Sequence, residues 1–463
     1  MLDTTQARHD MNIDASVAIG ARLDRLPIAR FHHKILWLIG LGMFLDTFDI
    51  YLTGGVLAAM VQEGFSDIDK NALFISGTVV GLVIGAFSAG MLGDHWGRKF
   101  SYQFNLMIFG LASLGAAFAP NMEVLIALRV VMGIGLGAEI VIGFGALAEF
   151  VPARSRGRWQ AALSLINNSS FAVASLLGYW IIPHLGWRYM FGLVGVGAMI
   201  VWYMRKSLPE SPRWLEARGR EAEALQVLEG IEREVEQDRK MPLPPVPAAA
   251  PRVAPDRGSL MELFRPPMLA RTFTACMIFI AMVTALYVYI SWLPSIFVKQ
   301  GINLSSSLGY MAVISLGGPL GSLIGMFIAD RFSRKWTTVV FAVASAILGY
   351  VYAVQSNIYV LVALGFLLMT SMYCYNAIGF GTYVSELFPT RLRLRGCGVT
   401  NTVGRFFTIF SPFLVVFILK NYGPKFVFFI ITLIFLIAAL CVAVWGIETR
   451  KQSLEEIENK ARN

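Results

Sequence analysis

Charge is scarce in this sequence. Acidic and basic residues make up 15% of the 463 residues, apolar ones 56%, and mean hydropathy is +0.61. That balance excludes a soluble globular domain and a disordered chain. Cysteine is rare as well. Cys276, Cys374, Cys397 and Cys441 fall in or beside apolar runs, and none forms a CxxC or metal-spaced pair. Neither a disulfide framework nor a zinc site is expected, and the four read as small buried hydrophobes. A nucleotide-binding glycine loop, a metal-ligand cluster and a nucleophile triad are all missing, so the chain is read as no enzyme, with no cofactor and no metal. The first stretch carries Arg8, Arg22, Arg25, Arg30 and Lys34 without a short apolar core and cleavage site, so no signal peptide is expected.

What is present is apolar length. Runs long enough to cross a bilayer as helices fall near 35–60, 71–93, 102–119, 123–150, 158–181 and 187–206, and again near 272–298, 306–328, 337–356, 358–386, 397–419 and 425–446. The expected fold is therefore all-α and polytopic, with 12 transmembrane helices in two six-helix bundles. Its parts are an N-terminal segment (1–34), a first bundle (35–206), a central loop (207–270), a second bundle (271–447) and a tail (448–463). The central loop has an amphipathic helical pattern over 221–236 and a Pro/Ala-rich linker over 241–255. The net charge of +9 would suit nucleic acid, but the basic residues sit in short clusters between apolar runs. There the positive-inside rule makes them cytoplasmic loops, with both termini cytoplasmic, the plasma membrane as location and no nucleic-acid partner.

The halves repeat each other. Gly90 to Lys99, containing Asp94, Gly97 and Arg98, recurs as Gly325 to Lys335, containing Asp330, Ser333 and Arg334; the two aspartates are 236 positions apart. Glu149-Phe150-Val151-Pro152-Ala153-Arg154-Ser155-Arg156 recurs 237 positions on as Glu386-Leu387-Phe388-Pro389-Thr390-Arg391-Leu392-Arg393. Gly186-Trp187-Arg188 and Gly423-Pro424-Lys425 keep the same offset. Two parallel repeats facing each other place a substrate site at mid-depth and allow alternating access.

Charges inside apolar runs are the candidate functional residues, because each costs several kcal/mol in lipid unless it is paired. Asp46 and Asp49 lie three residues apart on one face of the first span, and Arg129 lies in the fourth at a similar depth. A guanidinium favours the charged form of a carboxylate beside it, and that support vanishes when the partner swings away, so Asp49, Arg129 and Asp46 are assigned to proton coupling. One aspartate capping a kink or pairing structurally is the alternative. Glu139 is a further acid on the fourth span. Arg405, in the eleventh, offers a planar fork suited to a carboxylate, or else serves as an internal partner for a backbone carbonyl or for Glu386. Aromatic and amide residues complete the substrate set: Tyr287, Tyr289, Tyr375, Asn376 and Asn167, with Asn168 and Tyr373 beside them and Trp292 read as an interface-belt residue. A cytoplasmic gate is assigned to Asp94, Arg98, Glu149, Arg156, Asp330, Arg334, Glu386 and Arg393, whose pairs form in one state and break in the other. Charges that merely set topology are the alternative there.

The Asp94…Gly97-Arg98-Lys99 loop resembles the signature loop of the major facilitator superfamily, and the resemblance covers nearly the whole chain. Pro209-Glu210-Ser211-Pro212-Arg213 and Ser453-Leu454-Glu455-Glu456 are similar to sugar-porter signatures after helices 6 and 12. The Asp-x-x-Asp of the first span, Gly-x-Gly-Ala-Glu of the fourth and Arg405 resemble instead the transporters of aromatic acids and niacin-type metabolites. In proton-coupled sugar porters an acid on helix 1 and an arginine on helix 4 carry the proton, and Asp49 and Arg129 match them. The resemblance implies a monomeric carrier of a small molecule and protons, a symporter of an aromatic or heteroaromatic carboxylate. A sugar or polyol porter, an efflux antiporter and a transporter-like sensor remain as alternatives.

Overall fold

A computed structural model describes residues 19–152, 155–246, 259–329, 331–389 and 392–449. The first bundle holds α1 (Arg30–Gln62), α2 (Ile68–Trp96), α3 (Arg98–Ala117), α4 (Met122–Phe150), α5 (Arg156–Leu185) and α6 (Arg188–Met204). Two short helices follow, α7 (Pro212–Ala217) and α8 (Glu221–Arg239). The second bundle holds α9 (Met268–Lys299), α10 (Leu304–Ser315), α11 (Gly317–Ala329), α12 (Arg334–Val354), α13 (Ile358–Tyr375), α14 (Val384–Glu386), α15 (Arg393–Asn421) and α16 (Pro424–Trp445). Among the described residues ten stretches are long and apolar enough to cross a membrane. The shorter α3 and α6 pack alongside them and complete six spans and six, in the all-α arrangement expected.

Two spans are interrupted. Pro319 has no N–H to give to the preceding turn, so one span divides at Leu316 into α10 and α11. A π-helix over Asn376–Tyr383 joins α13 to α14, an irregularity that tends to mark working parts of membrane helices.

The end of the molecule that carries the start of α1 and the central helices is here called proximal, the opposite end distal. The bundles meet through α1 against α9, α2 against α15, and α5 against α10 and α11. Within the first bundle α2 and α4 approach until a Cβ on Gly137 would lie 2.1 Å from the Leu82 carbonyl oxygen, so the glycine pattern of α4 is a packing requirement. Three cysteines are buried and Cys397 half-buried, all as free thiols.

At the proximal end α8 docks onto the arm that precedes α1. Ile19, Leu23 and Leu26 bury against Leu228, Ile231 and Val235. Arg22 and Arg25 both donate to the Glu232 carboxylate, at 2.5 and 2.8 Å. Burial works against the Glu232 charge, but the two guanidinium hydrogen bonds outweigh it and hold the carboxyl below its usual range.

Candidate functional site between the bundles

Asp49 and Arg129 meet at mid-depth, both fully buried, in a charge-assisted pair. Arg129 also donates to Thr53 Oγ1 and Thr78 Oγ1, each at 3.1 Å, and its guanidinium lies 4.6 Å from the centre of the Phe74 ring. The arginine is thus held on three sides by its own bundle. Asp49 is satisfied through one oxygen only, because Oδ1 is buried without a hydrogen-bond partner. Tyr287, from α9 of the other bundle, lies within electrostatic reach of Asp49, Arg129 and Arg405.

A second buried pair lies nearer the proximal end and went unseen in the sequence. Arg205, just past α6, pairs with Glu139 and donates to the α1 carbonyl oxygens of Leu38, at 2.8 Å, and Ile39, at 3.0 Å. Gly42 makes the room: a Cβ there would lie 1.9 Å from Arg205 Nη2 and 2.8 Å from Glu139 Oε1. Asp46, one turn further along the same face of α1, is buried with Oδ2 unpartnered and interacts with both Glu139 and Arg205. Glu139, expected at the substrate, is therefore taken up by an arginine inside the first bundle. Arg205 ends an apolar run beside Lys206, where a basic residue reads as a boundary charge, so no sequence signal separated it from its neighbour.

In the second bundle Arg405 projects from α15 and donates to Asn401 Oδ1 at 3.0 Å. Among the described residues it has no carboxylate partner, since Glu386 is taken by Arg334 and by Thr449 Oγ1 at 2.6 Å. Aromatic residues bridge the bundles elsewhere in the interface. Tyr373 donates to Tyr51 Oη at 2.9 Å, and Phe171 stacks between them, 4.7 Å from the Tyr51 ring and 6.3 Å from the Tyr373 ring. Asn168 donates across the interface to Ser322 Oγ at 3.0 Å, while Asn167 accepts from Thr47 at 3.0 Å. Asn376 is half-buried at the first residue of the π-helix.

Three aromatic expectations are corrected. Tyr289 packs against Tyr352 and Phe428, and Tyr375 against Phe435 with its hydroxyl toward the Ile278 carbonyl, so both face the core of the second bundle. They lie two positions from Tyr287 and Tyr373 in sequence, and at 100° per residue a helix turns such neighbours onto different faces. Trp292 is 2% exposed and sits between the bundles, away from any lipid belt.

At the proximal end two carboxylates missed as site residues cap helices in matching places. Glu210 accepts from the Lys99 backbone N–H at 3.2 Å at the start of α3, and Glu448 accepts from Ser333 Oγ and from the Arg334 N–H, at 3.3 Å, at the start of α12. Their 238-position spacing was the available signal. At the first positions of α5 and α15, Arg156 buries one guanidinium nitrogen and Arg393 two that make no hydrogen bond, and Glu149 is half-buried at the end of α4. Asp330 and the side chains of Asp94 and Arg98 lie outside the described residues.

Residues 36–461 match the family described as "Sugar (and other) transporter". The chain is 39% identical to the inner membrane metabolite transport protein YdjE of Escherichia coli K12, over 95% of this chain and 98% of that one. It is 30% identical to the niacin transporter NiaP of Acinetobacter baylyi, over 94% and 99%. The inward-open structure of the xylose transporter XylE from E. coli superposes with a TM-score of 0.73 at 18% identity, covering 93% of this chain and all of that one, a likeness of fold. Six and six spans, buried ion pairs inside the first bundle, and these matches agree that the chain is a multi-pass membrane transporter, no enzyme, and belongs to the sugar (and other) transporter family of the major facilitator superfamily.

Proposed function

We propose that this transporter is a proton symporter that takes up a small organic anion, an aromatic or heteroaromatic carboxylate, across the bacterial inner membrane, with both termini in the cytoplasm. The observation that carries the reading is Arg405: a cation at mid-depth with an amide for a neighbour and no carboxylate among the described residues, within electrostatic reach of the Tyr287 ring. A planar guanidinium in that setting suits a ligand carboxylate, and flat rings suit an aromatic body. Niacin, named in one relative, is itself a heteroaromatic carboxylate.

Coupling follows from charge. An anion at Arg405 and a proton on Asp49 together add no net charge to the interface, so the loaded carrier crosses its midpoint without a new buried charge. Protonation removes the attraction that ties α1 to Arg129, and Asp46 with Glu139 offers further carboxylate oxygens on the proximal side of Asp49. Described contacts between bundles lie at mid-depth and toward the distal end, including the Ser76 hydroxyl on the Ile409 carbonyl at 2.9 Å, so access would be from the proximal, cytoplasmic side. There Arg156 and Arg393, with unfilled donors, would meet Glu149 and Glu386 when that side closes, the role proposed for the gate with Asp94, Arg98, Asp330 and Arg334.

A sugar or polyol cargo is the second reading, favoured by the family description. Thermal-shift measurements on the purified protein separate the two: carboxylates should stabilise the wild type and lose that effect in Arg405→Ala, with their amides nearly unaffected by the substitution. Stabilisation by sugars alone, or equal losses for acid and amide, would reject a carboxylate clamp.

A further inference from the structure

The two halves differ at one distal corner, and the difference has the shape of a ring. In the first bundle the corner is filled. Trp187 is buried, donates its indole N–H to Glu63 Oε2 at 2.9 Å and lies 5.0 Å from the Phe65 ring. The Arg188 guanidinium covers the indole at 4.2 Å and donates to the Ala119 carbonyl at 3.2 Å. Offset by 237 positions, the second half places Pro424 for Trp187, Lys425 for Arg188, Gln300 for Glu63, Ile302 for Phe65 and Ser356 for Ala119. The turns themselves are retained: Gly64 and Gly301 have φ of 73° and 88°, Gly186 and Gly423 of 95° and 86°. With the backbone kept and the indole replaced by a pyrrolidine, a cavity of about 370 Å³ remains, lined by those five residues together with Tyr352 and Phe428. A void of roughly 150 Å³ already accepts a benzene-sized guest.

We propose that this corner of the second bundle, between α9, α12, α13 and α16, is a peripheral binding site for a planar aromatic carboxylate. The first half supplies the template. A ring takes the place of the Trp187 indole against Phe428 and Tyr352, whose buried hydroxyl has no partner. Gln300 takes the place of the indole's acceptor and, as an amide, both donates and accepts. Lys425 is exposed at the mouth and makes no ion pair among the described residues, so its ammonium is available to the carboxylate. All walls belong to one bundle, so occupancy does not depend on how the two bundles are placed against each other.

The test uses the full chain, purified in detergent, with indole-3-carboxylate as probe and calorimetry as readout. Working in Arg405→Ala keeps the proposed central clamp out of the measurement. In that background the probe still binds, adding Pro424→Trp weakens it by at least about tenfold because the cavity is filled, and adding Lys425→Gln weakens it about fivefold while leaving neutral indole unchanged. Thermal unfolding reports whether Pro424→Trp folds; where it does not, the contrast between acid and indole in Lys425→Gln decides. Absence of probe binding in Arg405→Ala at millimolar concentration overturns the proposal, as does binding that neither substitution alters. Failure of the central reading shows differently, as probe stoichiometry that Arg405→Ala leaves at its wild-type value.

Discussion

Asp49 was legible because a carboxylate in an apolar run has few bland explanations, and so was Arg129. Their pairing was expected from matching depth and from the family resemblance; what only the fold supplies is α1 and α4 side by side. The unpartnered Oδ1 leaves Asp49 room for a proton, as the unpartnered Oδ2 leaves Asp46. Asp49→Asn keeps the shape and removes the titration, so in proteoliposomes it should abolish accumulation driven by a pH gradient while solute exchange persists; accumulation at the wild-type level would reject the assignment. The second pair behaves differently. Removing Arg205 alone, as Arg205→Met, strands Glu139 beside Asp46 and should cost about 3–5 kcal/mol of stability, whereas adding Glu139→Leu should recover a large part of that, as replacements of whole buried pairs do. Thermal unfolding of the single and double variants measures the difference, and additive losses would mean the two residues do not act as a pair.

Whole elements were read well from hydropathy, since each span needs about 20 apolar residues and little else resembles that in sequence. Their irregularities were hidden: the π-helix at Asn376–Tyr383 packs against α11 and α12, contacts that only the fold supplies. The arm before α1 was read as a bare terminal segment, yet Arg22 and Arg25 share Glu232 on α8, 210 and 207 positions away, and such a pairing leaves no local pattern. Its pH dependence follows in sign. Glu232 titrates lower in the docked arm than in the free chain, so its stabilisation is complete above the free-chain value of about 4.3 and disappears as pH falls through the docked value. Amide hydrogen exchange across 19–29 should show protection that holds from neutral pH down to about 5 and falls below about 4. Glu232→Gln should lower that protection at neutral pH, by about 1–3 kcal/mol, and remove the acid step; an acid step unchanged in the variant would place the titration elsewhere.

For the molecule as a whole, the repeat offset carried the architecture before any contact was known, and it still explains paired features such as the Glu210 and Glu448 caps. Which ends of the bundles touch was beyond it, because a repeat offset matches equivalent helices and carries no information on contacts between the halves. The distal ends are joined in part by Lys420 of α15 and Asp69 of α2, 2.6 Å apart and both exposed. An exposed pair contributes at most about 1 kcal/mol, which nonetheless shifts a two-state balance about fivefold. Ala58, buried beside the small distal cavity shared by the bundles, reports that balance once replaced by cysteine. Labelling of Ala58→Cys by an impermeant maleimide from the distal side should rise about two- to fivefold in Lys420→Glu, and in the parent at high salt, because repulsion or screening removes the clasp. Exchanging the charges, Asp69→Lys with Lys420→Asp, should return labelling to the parent rate. A rate indifferent to all three changes would mean that close backbone packing such as Gly54 against the Ile290 carbonyl holds the distal end shut without help from charge.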